Sequence, residues 1–282
     1  MTVFFLILSI MSTVAQNCIF NKVSKKELST NNHIYYFNTF ISLVCIFLFG
    51  ILLLREKMSL FTALIGIIFG VMTALRNVYN MQTLANGPMN ITILITTSST
   101  IIPTLSGVFF GEPFSIMKLI AVIFLIGFIY ISLDKDSNTK INKKWIVFAT
   151  LTFLTQGTIG VLQKVHQTSV YKNEASGFLF IAFILAYIYN RLRMKGNVKE
   201  LNFQRKHILF AYICGLCTFC MNYLNLKLSG ILPSQLFFPL VNGGSMVLNQ
   251  IMAVLIFKEI PTKKQLVGLV GGICSLIAIC LV

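Results

Sequence analysis

Apolar residues along this chain run in long, nearly charge-free blocks divided by short polar stretches. The blocks cover residues 2–20, 35–54, 58–83, 89–111, 114–133, 145–163, 175–190, 208–228, 231–257 and 265–282. A helix rises 1.5 Å per residue, so about 20 apolar residues match the ~30 Å hydrocarbon core of a bilayer. A spanning backbone must satisfy its own hydrogen bonds, and each block therefore predicts a transmembrane helix. Several blocks are rich in Ile, Val and Phe, which favour strands in water. Barrel strands would be about half as long and would alternate polar with apolar residues, and these blocks do not. The first block has no basic stretch before it, as a signal peptide would, and its end resembles the end of a later block. It is expected to be a retained first helix.

Short motifs recur in one order at one spacing. Phe20-Asn21-Lys22-Val23-Ser24 ends the first block and Leu162-Gln163-Lys164-Val165-His166 ends the sixth. Asn77-x-x-Asn80 lies late in the third and Asn222-x-x-Asn225 late in the eighth. Gly111-Glu112-Pro113 follows the fourth and Lys258-Glu259-Ile260-Pro261 the ninth. The offsets, from 22 to 164, from 77 to 222 and from 112 to 259, are 142, 145 and 147 residues. The expected fold is thus all-α and integral to the membrane, ten transmembrane helices in two five-helix repeats, 1–137 and 138–282. An odd number of spans per repeat makes the second enter the bilayer from the opposite side, so the repeats would be inverted. Secondary transporters are commonly built this way, with the solute site near the midplane.

Composition agrees with the blocks. Of 282 residues, 56% are hydrophobic and 11% charged, and mean hydropathy is +0.82. The eight acids, Glu27, Glu56, Glu112, Asp134, Asp136, Glu174, Glu200 and Glu259, all lie between blocks or at their ends. The net charge of +15 is a property of the connections. It predicts affinity for anionic lipid headgroups and not for nucleic acid, which needs a basic face with aromatics on a soluble element. On one side of the membrane the count is sixteen: Lys22, Lys25, Lys26, Lys135, Lys140, Lys143, Lys144, Arg191, Arg193, Lys195, Lys199, Arg205, Lys206, Lys258, Lys263 and Lys264. On the other it is six: Arg55, Lys57, Lys118, Lys164, Lys172 and Lys227. The positive-inside rule puts the larger set in the cytoplasm of a cell-membrane protein and both termini outside. Seven cysteines, all in apolar blocks, imply packing and no disulfide framework.

The two runs GVFFGEPFSIMKLIAVIFLIGFIYI at 107–131 and AVLIFKEIPTKKQLVGLVGGICSLIAI at 253–279 resemble the drug/metabolite transporter superfamily in its ten-helix form, with two EamA-like domains. In that family each repeat closes with a Gly/Lys-Glu turn and a small-residue-rich fifth helix. The resemblance covers the whole chain and implies fold more firmly than substrate. It also implies cytoplasmic termini, opposite to the charge count. The family usually carries a proline about thirteen residues before the turn glutamate. Here those places are Ser99 and Met246, while Pro103 and Pro239 sit elsewhere.

Arg76 is the one basic residue well inside a block. An arginine at a helix centre costs about 2.5–3.5 kcal/mol on insertion scales, so it predicts a wet cavity or an anionic partner on a solute. Snorkelling to the interface is the alternative. Asn77, Asn80, Asn222 and Asn225 are repeat-related amides that either line a pathway or bond helix to helix. Gln156, Gln163, Gln235, Asn242, Asn249 and Gln250 are single amides of the same kind. Ser98, in the run Thr96-Thr97-Ser98-Ser99-Thr100, would wet one face of the fourth helix or bond back to the preceding turn. The candidate pathway is Arg76, Asn77, Asn80, Ser98, Gln156, Asn222, Asn225, Gln235 and Asn242. Gly66-x-x-x-Gly70 and Gly268-x-x-x-Gly272 predict close helix seams.

No mid-depth carboxylate is present, which disfavours proton-coupled export of organic cations. No Walker-type glycine loop, catalytic triad or histidine-rich metal cluster occurs, so neither an enzyme nor a cofactor is expected. The expected activity is secondary transport of a small solute, an amino acid, metabolite or organic anion, by alternating access. A multidrug or lipid-carrier translocator and a non-transporting receptor or assembly protein are the alternatives, and a homodimer is left open.

Overall fold

Helices follow the apolar blocks, and the polar ends of several run past them. The structure, a computed structural model, describes residues 2–26, 30–54, 56–112, 115–132, 142–195 and 204–281. Glu27, Arg55, Pro113, Asp134, Lys135, Asp136, Lys140, Lys199 and Glu200 lie outside the described residues. The elements are α1 (Thr2–Lys26), α2 (Asn31–Leu53), α3 (Leu60–Asn86), α4 (Met89–Ser98), α5 (Ile101–Ser106), a 3₁₀ turn (Gly107–Phe110), α6 (Ile116–Ser132), α7 (Lys143–Thr168), α8 (Ala175–Arg193), α9 (Arg205–Ile231), α10 (Ser234–Leu255) and α11 (Lys263–Leu281). No strand occurs among the described residues. Among the described residues, eight spans, against the ten expected, are long and apolar enough to cross a membrane, counting Met89–Phe110 as one; in α6 the apolar stretch Leu119–Ser132 is shorter.

Polar residues flanking the blocks supply the first turns with acceptors. Thr30, Ser59 and Asn142 cap α2, α3 and α7 through their side chains, which satisfies amides that have no partner within the helix. Pro88 and Pro233 stand at the N-caps of α4 and α10. Neither proline has an N–H to leave unsatisfied at the helix start.

The fourth block departs from the single helix expected over 89–111. It breaks after Ser98, resumes as α5 and ends in the 3₁₀ turn. Pro103 has no N–H and its ring crowds the carbonyl four residues back, at Ser99. The amides of Ser99 and Thr100 fall back on bonds to the Thr96 and Thr97 carbonyls, 3.3 and 3.2 Å. The Thr97 and Ser98 hydroxyls donate to the Ile93 and Leu94 carbonyls at 2.7 and 2.6 Å and weaken the regular ladder further. In α10 Pro239 comes in the second turn and the helix stays whole.

α1 packs on α9 and α3 on α7; α2 packs on α9 and α3 on α8; α2 also packs on α8, and α6 on α11. Glycines set two of these seams. A Cβ at Gly66 would stand 2.9 Å from the Phe178 carbonyl oxygen, and Gly70 abuts the Ala182 backbone, so α3 and α8 touch main chain to main chain. Gly268 of α11 abuts Ser132 and Phe128 of α6 in the same way, whereas Gly272 faces Leu94 of α4. Polarity is inverted relative to a protein in water. Gln16, Asn21, Asn77 and Asn249 are buried, while Ile123 and Phe124 of α6 and Val267 and Val270 of α11 are more than half exposed. That arrangement is stable where the outer solvent is hydrocarbon.

Candidate functional site

Polar side chains from six helical spans converge around three adjoining hollows of about 20, 40 and 40 Å³. Each has room for no more than a few waters. Gln156 of α7 and Asn225 of α9 line all three. Arg76 and Asn242 each line two of them, and Asn77 and Asn222 line one. Six of the nine candidate residues are therefore gathered here. The other three are not. Asn80 lies beside Asn17, its Nδ2 donating to Asn17 Oδ1 at 3.4 Å. Ser98 spends its hydroxyl on Leu94. Gln235 sits in the first turn of α10 and lines none of the three hollows.

Arg76 does not snorkel. It lies ten residues from the end of α3, ~15 Å along the axis, and is 9% exposed. Its Nη1 donates to Gln16 Oε1 at 3.2 Å and to Asn77 Oδ1 at 3.0 Å, and its Nε has no partner. Gln16 Nε2 in turn donates to Thr218 Oγ1 at 2.5 Å. One chain of hydrogen bonds thus joins α3, α1 and α9. Beside it the Ser9 hydroxyl donates to Asn225 Oδ1 at 2.5 Å. Asn242 Nδ2 donates to Thr100 Oγ1 at 3.1 Å, which ties α10 to the break in the fourth block.

Sequence reasoning passed over the α1 contribution: Thr13 and Asn17 line the second hollow and Gln16 holds Arg76. The signal was present. Ser9, Thr13, Gln16 and Asn17 recur at helical spacing and form one polar stripe on an otherwise apolar helix.

The four described acids are all elsewhere, and each caps a helix in the opposite half of the chain. Glu56 accepts from the Ser176 amide (2.8 Å) at the start of α8. Glu174 accepts from the Ser59 amide (2.8 Å) and from the Ser59 and Thr62 hydroxyls at the start of α3. Glu112 accepts from the Ser234 amide (2.9 Å) at the start of α10. Glu259 accepts from the Met89 and Asn90 amides (2.7 and 3.3 Å) at the start of α4. A carboxylate there meets unpaired amides and the positive end of the helix dipole. The first three sites share one face of the bundle, called the upper face; Glu259 is on the lower face.

Two of these acids also hold lysines. Lys164 pairs with Glu112 at 2.9 Å and donates to the Ser229 and Leu232 carbonyls that end α9, at 3.3 and 3.4 Å. Lys25 pairs with Glu259 at 2.6 Å. Burial pushes the Glu112 carboxyl up, but the Ser234 amide and the Lys164 ammonium outweigh it and hold the group below its ordinary value. Glu174 is likewise raised by burial and brought below its ordinary value by the Thr62 and Ser59 hydrogen bonds. His166, near the end of α7, is fully buried, stacked on Phe178 with ring centroids 4.5 Å apart, and its Nε2 is 3.4 Å from Thr62 Oγ1.

The sequence matches no family model and no curated protein. In fold, 27 chains of solved structures are similar to it. One, described as "Crystal structure of protein", gives a TM-score of 0.61 at 12% identity, covering 99% of this chain and 96% of its own. An identity that low carries the architecture alone.

Proposed function

We propose that this chain is a secondary carrier that moves a small solute across a membrane by alternating access. It would be built as two inverted five-helix repeats like those of the drug/metabolite transporter superfamily. The observation that carries this reading is the buried polar centre. Arg76, Gln156, Asn225 and Asn242 come from both halves of the chain and meet between them. An ionisable group at that depth is expensive in a bilayer and is a mark of solute paths. The helix pairings support the repeat. Exchanging the halves carries α1 on α9 into α7 on α3, and α2 on α9 into α8 on α3. The cross-half caps of Glu112 on α10 and Glu259 on α4 exchange in the same way.

The hollows are too small for a solute, so a carrier of this kind must widen them for transport. Ion pairs and caps near the loops join the two halves at both faces, in addition to the apolar packing between them. Such contacts can part and re-form as the halves rock.

The test is flux. Purified protein in liposomes should pass labelled small carboxylates or amino acids that empty liposomes retain, and Arg76→Gln should lower the rate at least tenfold. Equal leakage with and without protein, across a metabolite panel, would reject the carrier.

A further inference from the structure

The charge around Arg76 is incomplete in a way that specifies what the hollow takes. A guanidinium with 9% exposure has left bulk water, yet its hydrogen bonds go to the neutral amide oxygens of Gln16 and Asn77. Its Nε donates to nothing. Buried cations are ordinarily matched by an anion, because desolvation is only partly offset by neutral dipoles. Among the described residues no carboxylate lines the hollows. The four described acids are already engaged at helix starts on the two faces. The missing negative charge is therefore left to a ligand. Opposite Arg76 the walls offer Gln156, Asn225 and Asn242, uncharged amides that can donate to or accept from a hydroxyl. They offer nothing to neutralise an ammonium, and an ammonium there would also face Arg76 itself in a region of low dielectric.

We propose that the central hollow binds small oxyanions, carboxylates or phosphate esters, whose remaining groups are uncharged, and rejects matched zwitterions. This rests on the carrier reading of the same hollow and narrows its substrate class: hydroxy acids and sugar-like acids or phosphates fit, and free amino acids do not. Arg76 holds the oxyanion, with Nε and Nη1 both donating once the Gln16 and Asn77 bonds relax. The amides of α7, α9 and α10 take the hydroxyls.

Two probe pairs test this on the full chain in nanodiscs. D-glycerate and D-serine differ only in a hydroxyl against an ammonium. Glycerol 3-phosphate and phosphoethanolamine present a phosphate without and with an ammonium. Equilibrium binding of at least one uncharged-body anion should be tenfold or more tighter than that of its ammonium partner, and the better pair tells carboxylate from phosphate. Arg76→Gln should abolish the preference, and Arg76→Lys should keep part of it. Thermal unfolding of each variant checks that it is folded. Serine or phosphoethanolamine binding as tightly as its partner, a preference that survives in Arg76→Gln, or no binding by any of the four probes would overturn the proposal. Binding with the expected preference but no flux in liposomes defeats the carrier reading alone. Flux that favours serine over glycerate defeats this inference alone.

Discussion

The two faces of the bundle are closed by the same device made in different materials. On each, the glutamate after a fourth span caps the first turn of the other half's fourth span and pairs with a lysine from the first helix of a half. On the upper face the side chains of Lys164 and Glu112 are 8% and 12% exposed, and the lysine also closes the end of α9. On the lower face Lys25 and Glu259 are 31% and 17% exposed. The upper face carries two further cross-half caps, Glu56 on α8 and Glu174 on α3. The lower face relies more on packing. There Trp145 is buried against Gly87, and its Nε1 donates to Thr92 Oγ1 at 3.0 Å. A buried pair is costly to break because the survivor keeps a charge without a partner, whereas an exposed pair is replaced by water and salt. Charge therefore closes the upper face and shape the lower one.

The largest expected effect follows from that. Lys164→Met keeps the apolar stem but strands Glu112 and frees the last carbonyls of α9. Unfolding stability should fall by about 3 kcal/mol, the lower end of the range for a broken buried pair. Thermal unfolding in nanodiscs reads it. A loss no greater than that of the matching Lys25→Met change would break the contrast between the faces.

Packing on the lower face is tested at Gly87. A Cβ there would land on the Trp145 ring, so Gly87→Ala must shift the indole or the end of α3. Overpacking of this kind costs about 1–3 kcal/mol. Trp145 is the single tryptophan of the chain, so its emission reports the displacement directly. Unchanged emission and stability would show that the ring is not what closes this face.

Acid should loosen the upper face. Glu112 and Glu174 both titrate below the ordinary 4.5 in the folded chain. A depressed carboxyl contributes stability above its unfolded value, and that contribution is lost as pH falls through the folded value. Stability should hold from pH 7 to about 4.5 and decline below it, and Glu112→Gln should flatten part of the decline. Hydrogen exchange at the starts of α3 and α10 follows it locally; protection there that persists unchanged well below pH 4 would contradict the assignment.

Much of this was legible in the sequence because a bilayer enforces a simple rule: apolar length becomes helix. The blocks located all eight spans found among the described residues, and Arg76, Asn77, Asn222, Asn225, Gln156 and Asn242 stood out as polar residues in apolar surroundings. The break at Ser99 was not read, because a proline inside a span either bends or breaks it according to its neighbours; Pro239 and Pro103 differ in outcome. The α1 stripe was missed because each of its residues is individually unremarkable in a helix. The direction of Asn80, Ser98 and Gln235 depended on rotation about the helix axis, which packing sets and block length does not. Glu112 and Glu259 were legible as residues of the turns that follow the fourth and ninth blocks, and Glu56 and Glu174 as acids between blocks. That each reaches across to the opposite half required the packed structure.

The smallest expected effect lies at Lys25. Its ammonium is partly solvated, and Glu259 keeps two backbone amides when the lysine is gone. Lys25→Ala should therefore cost under about 1 kcal/mol, as exposed pairs do. In the wild type, raising ionic strength from 0.1 to 1 M shortens the screening length from about 10 to 3 Å and should remove most of that small contribution, while the buried Lys164–Glu112 pair is screened much less. The two variants should thus separate as salt rises: the Lys25→Ala difference from wild type shrinks toward zero and the Lys164→Met difference persists. If both differences vanish together at 1 M, water already reaches the upper pair, and the two faces are closed by contacts of one kind.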